Sequence, residues 1–202
     1  MKAVTIVLAI SICFAAAFGD FIVFKSRYSD SQVFTALADN SVHAALGFLS
    51  ALQFFSLGVN ISTEACIYNI IFCTAVSSLI DVDHVILAKS FYFRDLVNLR
   101  GRGFLHCTTL WLAYTLLLLI YSCMTRKLNL YVLSFMLILA FSSHHMRDGH
   151  RRGLWMFPFG HTPPIDRNVY ILGSAVMPVV FYYIFYYFNP HVKYNTVYSH
   201  VV

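Results

Sequence analysis

Charge is scarce in this chain. Only 11% of its 202 residues are Asp, Glu, Lys or Arg, less than half the roughly 25% usual for a soluble domain. That shortage excludes a water-exposed globule of ordinary composition. Paired cysteines are missing too: Cys13, Cys66, Cys73, Cys107 and Cys123 form no C-x-x-C, so neither a zinc ribbon nor a disulfide framework is indicated. Lying in or beside apolar runs, they read as small buried hydrophobes. No basic stripe occurs. The net charge of +5 is scattered through connections, which argues against a nucleic-acid partner. Repeats, low-complexity tracts and a second domain are also lacking, so residues 1–202 read as one polytopic membrane domain with a short polar tail at 189–202.

What the chain does have is apolar sequence, in six runs: Val4–Phe18, Val42–Val59, Ala65–Ile80, Phe104–Cys123, Leu128–Ser143 and Val169–Phe188. At a rise of about 1.5 Å per residue, roughly 20 helical residues cross a bilayer core of roughly 30 Å. The prediction is an all-α integral membrane protein, a polytopic helical bundle of about six transmembrane helices embedded in the lipid bilayer. The first 19 residues also carry signal-peptide features: a basic start, a short apolar centre and Ala15-Ala16-Ala17. Cleavage there would leave five spans. Apolar character resumes at Phe21-Ile22-Val23-Phe24, which favours a retained first helix with Asp20 near its end.

With the spans numbered in order, the connections 25–41, 81–103 and 144–168 share one side of the membrane. They hold ten of the fourteen Lys and Arg residues, which puts that side in the cytoplasm by the positive-inside rule. The signal-like start favours the reverse orientation. "NIS" at Asn60–Ser62 is the sole N-x-S/T sequon and lies on the opposite side; glycosylation there would place the cluster described next in the cytoplasm.

Histidines and carboxylates gather on that same side. Asp39 and His43 open span 2; Asp81, Asp83 and His84 close span 3; His106 opens span 4; His144, His145 and Asp148 close span 5. Asp39/His43 and His144/Asp148 are four apart and Asp81/His84 three apart, spacings that share a helix face. Ionisable groups in a membrane cost roughly 2.5–3.5 kcal/mol each, so they face a bundle interior or a wet cavity. Three distant stretches are therefore expected to converge. Imidazole with carboxylate and no thiolate suits zinc, manganese or iron, and such a site activates water and polarises a phosphoryl or carbonyl oxygen. Arg100, Arg102, Arg147, Arg151 and Arg152 lie nearby in sequence, and guanidinium forks match phosphate or carboxylate.

The blocks "DNSVHAALG", "SSLIDVDH", "RGRGFLHC" and "SSHHMRDGHRRGLWMFPFG" resemble the eukaryotic transmembrane protein 267 family over roughly Leu37 to Gly160. More distantly they resemble bacterial LexA-regulated inner-membrane metal-dependent hydrolases. That second resemblance implies a site at His43, Asp81, Asp83, His84, His106, His144 and Asp148. The chain departs from the bacterial pattern in two places: Gly101-Arg102-Gly103 stands where the pattern has H-R-G, and Ile80 replaces a proline.

The resulting enzyme hypothesis is a metal-dependent hydrolase acting on an amphiphilic substrate with an anionic head. His43, Asp83, His84, His106, His144 and Asp148 would hold a divalent metal, zinc or manganese. Asp81 or Asp39 would orient a ligand histidine or act as general base, and Arg102 and Arg147 would steady the anionic group. The rival is a non-catalytic scaffold or degenerate hydrolase relative, in which the cluster is a hydrogen-bonded plug tying helix ends together; the histidine absent at Gly101 favours it. An ion conduit ranks last, because no ionisable residues continue across the spans.

Elsewhere the residues read more simply. His145, His161, His191 and His200 are expected to hydrogen-bond without further role. "VVFYYIFYYF" reads as lipid-facing packing, "GHTPPIDRN" as a turn and "SFYFRDLVNL" as a short interfacial helix.

Overall fold

The structure, a computed structural model, describes residues 3–90, 92 and 101–189. Six long helices account for most of it: α1 (Ala3–Lys25), α2 (Gln32–Ser56), α3 (Thr63–Leu79), α5 (Thr108–Thr125), α6 (Leu128–Arg152) and α7 (Arg167–Phe188), with the short α4 (Asp83–Ala88) following α3. Single 3₁₀ turns at Ile80–Val82 and Phe104–His106 carry the chain into α4 and towards α5. No strand occurs among the described residues beyond two isolated bridges centred on Trp155. The interfacial helix expected at 90–99 and the polar tail lie, apart from Ser90, Tyr92 and Asn189, outside the described residues.

Every predicted run became a helix, but the boundaries moved. Serine caps explain two of the starts: Ser31 accepts from the Phe34 amide and Ser62 from the Ala65 amide, satisfying amides that a helix start leaves unpaired. Asp166 does the same for Asn168 and Val169 before α7. Because α2 starts at Gln32 rather than Val42, Asp39 and His43 lie inside a helix and not at its mouth. Likewise α6 continues nine residues past Ser143, so "SSHHMRDGHRR" is helix and not loop. Asp20 lies inside α1, over a turn from its end. Gly153 (φ +70°) stops α6. A Cβ there would lie 1.8 Å from the Thr162 carbonyl oxygen, which only glycine avoids. Residues 160–166 are non-helical, as the two prolines require.

Five helical stretches are long and apolar enough to cross a membrane: α1, Thr63–Ala88, α5, α6 and α7. The sixth long helix, α2, is diluted by Asp39, Asn40, His43 and Gln53. Its polar residues are sheltered, because α2 packs against α1, α3, α6 and α7. The hub is α6, which is mostly buried, whereas the other four membrane-length stretches are mostly exposed on the outside of the bundle.

Lipid tails are as apolar as Leu, so helices associate through close packing and interhelical hydrogen bonds. Both devices are present. Gly47 lets α2 approach α3 until a Cβ would lie 2.6 Å from Ser77 Cβ, and Gly19 meets Val42 of α2 as tightly. At one end of the bundle Phe54, Tyr131, Phe135 and Phe185 stack around Leu139 and Met136. Cys73 and Cys107 are fully buried and all the cysteines are unpaired thiols. The opposite end holds the histidines.

Candidate metal centre

Four side chains from three separate stretches point at one another. Asp81 comes from the turn after α3, His106 from the turn before α5, and His144 and Asp148 from one face of α6. His106 Nε2 lies 3.3 Å from Asp81 Oδ1, 3.3 Å from Asp148 Oδ2 and 3.4 Å from His144 Nε2. His144 Nε2 is 3.6 Å from Asp81 Oδ1 and 3.8 Å from Asp148 Oδ2. All four atoms fall within 4.8 Å of one another. An ion about 2.0–2.2 Å from four tetrahedral ligands spaces those ligands about 3.3–3.6 Å apart. The donor set fits a small divalent cation.

Both imidazoles are fixed from behind. His144 Nδ1 lies 2.8 Å from the Ser77 carbonyl, which can only accept, so that nitrogen carries a proton and Nε2 offers a lone pair. His106 Nδ1 faces Asp83 Oδ2 at 3.0 Å, and the same carboxylate oxygen accepts from the Leu105 amide. Carboxylate–imidazole pairs of this kind orient metal ligands and raise their basicity. Asp83 reaches His106 only because residue 103 is glycine: a Cβ there would sit 2.1 Å from the carboxylate, whereas Gly101 has open space. Burial alone would lower the basicity of His106, but hydrogen bonds that its ring donates to the Asp148, Asp81 and Asp83 carboxylates outweigh it and push its pKa up to about 11.

Around these four lies a second layer. His43 is fully buried and stacks on His144, ring centroids 3.8 Å apart. Its Nε2 faces Arg147 Nη1 at 3.0 Å and Asp148 Oδ1 at 3.6 Å. With Asp39 and Asp81 it forms a looser group. Arg147, itself 1% exposed, bonds Asp39 at 2.5 Å and Asp20 at 3.2 Å, tying α6 to α2 and α1. Arg151 reaches Asp148 at 2.8 Å and Asp39 at 3.4 Å.

The sequence-predicted residues thus divide. Asp81, His106, His144 and Asp148 meet at one point. Asp83 turns away to hold His106, the reverse of the roles expected for Asp81 and Asp83. Asp39 and His43 face Arg147, whose Nε and Nη1 are held in a buried ion-pair network and whose Nη2 is buried without a partner; at 1% exposure it is closed to the substrate it was expected to steady. His84 stacks on His106 at the partly exposed edge, its Nδ1 3.9 Å from Asp81. Arg102 donates to the Gly153 carbonyl through Nη1 and has a buried, unpartnered Nη2. It borders a cavity of about 10 Å³ beside His106 and Asp148, the size that holds one water. His145 bonds Thr108 and the Leu105 carbonyl, and His161 stacks on Trp155; His191 and His200 lie outside the described residues.

Three contributors escaped the sequence reading. Ser77 supplies the carbonyl behind His144, and its hydroxyl donates to the His43 carbonyl. Gly103 makes room for Asp83, and Asp20 pairs with Arg147. Asp20 alone had a sequence signal, as a carboxylate inside an apolar stretch.

Long apolar helices around a buried His/Asp/Arg layer define an integral, multi-pass membrane protein. The comparisons name its family. The chain is 37% identical over 145 residues to Transmembrane protein 267 of Danio rerio, covering 71% of this chain and 63% of that protein. It is 34% identical over 154 residues to Transmembrane protein 267 of Bos taurus (75% and 69%) and 31% over 144 residues to that of Mus musculus (71% and 65%). The chain belongs to the transmembrane protein 267 family, and it spans just under two thirds of the length of the Danio rerio relative. No family model matches the chain, and no solved structure matches it. The bacterial hydrolase resemblance therefore rests on the motif blocks alone.

Proposed function

We propose that Asp81, His106, His144 and Asp148 hold a divalent cation and that the protein is a membrane-embedded, metal-dependent hydrolase of an amphiphile with an anionic head. The observation that carries the proposal is that His106 Nε2 and His144 Nε2 lie 3.3–3.8 Å from each other and from one oxygen each of Asp81 and Asp148, with both imidazoles anchored through Nδ1. Two imidazoles and two carboxylates in that spacing favour zinc over manganese, which prefers six oxygen ligands.

A bound divalent ion supplies Lewis acidity, polarising a phosphoryl or carbonyl oxygen and activating water near neutral pH. The chain's own residues do the rest. Asp83 holds His106 in place, and the Ser77 carbonyl holds His144. Of the two arginines expected to steady the anionic group, Arg102 keeps that role, because it is part exposed beside His106 and Asp148 whereas Arg147 is buried. Asp39 is committed to Arg147 and Arg151, so His84, at the open edge beside Asp81, is the group placed to take up a proton at Nδ1.

The structural-plug reading keeps one specific support, the Arg147 network with Asp20, Asp39 and His43, which joins three helices without any metal. Elemental analysis separates the two. Detergent-purified protein should carry about one zinc per chain, and a His144→Ala/Asp148→Ala double variant should carry none. Wild type without stoichiometric metal after zinc-supplemented purification sinks the hydrolase reading; loss of thermal stability in the variant with no metal in either protein favours the plug.

A further inference from the structure

A larger cavity, of about 410 Å³, opens where the C-terminal ends of α1 and α6 meet the start of α7. Its volume falls in the roughly 300–1,000 Å³ range of small-molecule pockets. The lining is strongly one-signed: Lys25, Arg151 and Arg167, with His150, surround a single acid, Asp20. That acid is already paired with Arg147 through Oδ1. Lys25 and Arg167 are exposed and have no ion-pair partner among the described residues. Arg151 is held by Asp39 and Asp148, yet its Nε is buried and unpartnered. Lys25 and Arg167, two positive charges at one mouth with no ion-pair partner among the described residues, ask for an anion.

The walls say what kind. Phe21 and Phe24 line the same cavity, and the Arg151 guanidinium lies 4.6 Å from the Phe24 ring centroid. From Phe21 a strip of rings continues along α1 through Phe18 and Phe14, with successive centroids 6.4 and 5.1 Å apart. All three are exposed on a helix long and apolar enough to cross a membrane, so they face acyl chains. A cationic mouth continuous with an apolar strip fits a molecule charged at one end and greasy at the other.

We infer that this cavity binds the phosphate head of an anionic membrane lipid, with Lys25, Arg151 and Arg167 around the phosphate and an acyl chain along Phe21, Phe18 and Phe14. Guanidinium forks suit phosphate oxygens. A zwitterionic choline head would bring its own cation against three others and is disfavoured. Arg151 joins this pocket to the metal centre, because the guanidinium that borders the cavity also donates to Asp148. That the bound lipid is also the substrate rests on the hydrolase reading; the binding itself does not.

The test is native mass spectrometry of the full chain in neutral detergent, offering phosphatidic acid and phosphatidylcholine with matched acyl chains. Wild type should retain phosphatidic acid at least about tenfold over phosphatidylcholine, as expected for two or more basic groups acting near a membrane surface. Lys25→Gln/Arg167→Gln should bring the ratio close to one while zinc content stays unchanged. Equal retention of the two lipids by wild type, or an unaltered ratio in the double variant, overturns the proposal. Inorganic phosphate that displaces phosphatidic acid at equal concentration overturns the lipid assignment. In the His144→Ala/Asp148→Ala protein a persisting preference keeps the pocket even if the metal reading falls.

Discussion

The two ends of the bundle are held together by different physics. At one end Phe54, Tyr131, Phe135 and Phe185 fit by shape, and no single pairing is obligatory. At the other, Arg147, Asp20, Asp39, His43 and Asp148 fit by charge and hydrogen bond, each depending on a named partner. A void at the apolar end forfeits dispersion contacts and can relax. A missing partner at the polar end leaves a charge buried with nothing to answer it. The first end tolerates change at a graded cost in stability; the second dictates which residues can stand there at all.

The largest expected effect follows from that difference. Arg147→Met removes the one cation shared by Asp20 and Asp39 and should cost about 3–5 kcal/mol, as breaking buried pairs generally does. Adding Asp20→Asn should recover part of the loss, because among the described residues Asp20 pairs with Arg147 alone, whereas Asp39 keeps Arg151. Denaturation in mixed micelles measures both. A double variant no more stable than Arg147→Met means that Asp20 is not the orphaned charge. Phe135→Ala at the opposite end should cost about 3 kcal/mol through the cavity it leaves, with full zinc content retained. Zinc loss in that variant would show that the two ends are not independent.

Much of this division was legible in the sequence, for an energetic reason. Ionisable groups are costly in an apolar chain, so their clustering on one face forecasts convergence, and Asp81, His106, His144 and Asp148 do converge. Helix lengths were not legible, because polar residues inside a bundle look like helix ends. Asp39, His43 and the segment His144–Arg152 were misread in that way. Nor were the roles of Asp81 and Asp83: residues two apart point to different sides of a turn, so only one of them can face His144, and the pattern does not say which. Arg147 looked available because its partner Asp20 lies 127 residues away.

Gly103 and Gly101 offer a sharper, smaller comparison within the polar end. Gly103→Ala should drive Asp83 off His106 at an overpacking cost of about 1–3 kcal/mol and lower zinc content. Gly101→Ala, with open space around its Cβ, should change neither. Equal zinc content in the two variants breaks the claimed link between Asp83 and the centre.

The smallest effect concerns protons. His106 is pushed up to about 11 by the carboxylates around it, against about 6.5 in an unfolded chain. Its folded-state pKa is raised, so the stability it contributes without metal is complete below about pH 6.5 and disappears as pH rises through about 11. A divalent cation needs the Nε2 lone pair that this proton occupies. Zinc uptake at pH 7.5 should therefore release about one proton per ion, and apparent affinity should rise about tenfold per pH unit across the neutral range. Calorimetry in two buffers of different ionisation enthalpy reads the proton count directly. A count of zero would mean that His106 is already neutral, and that three carboxylates surround the site without charging its central imidazole.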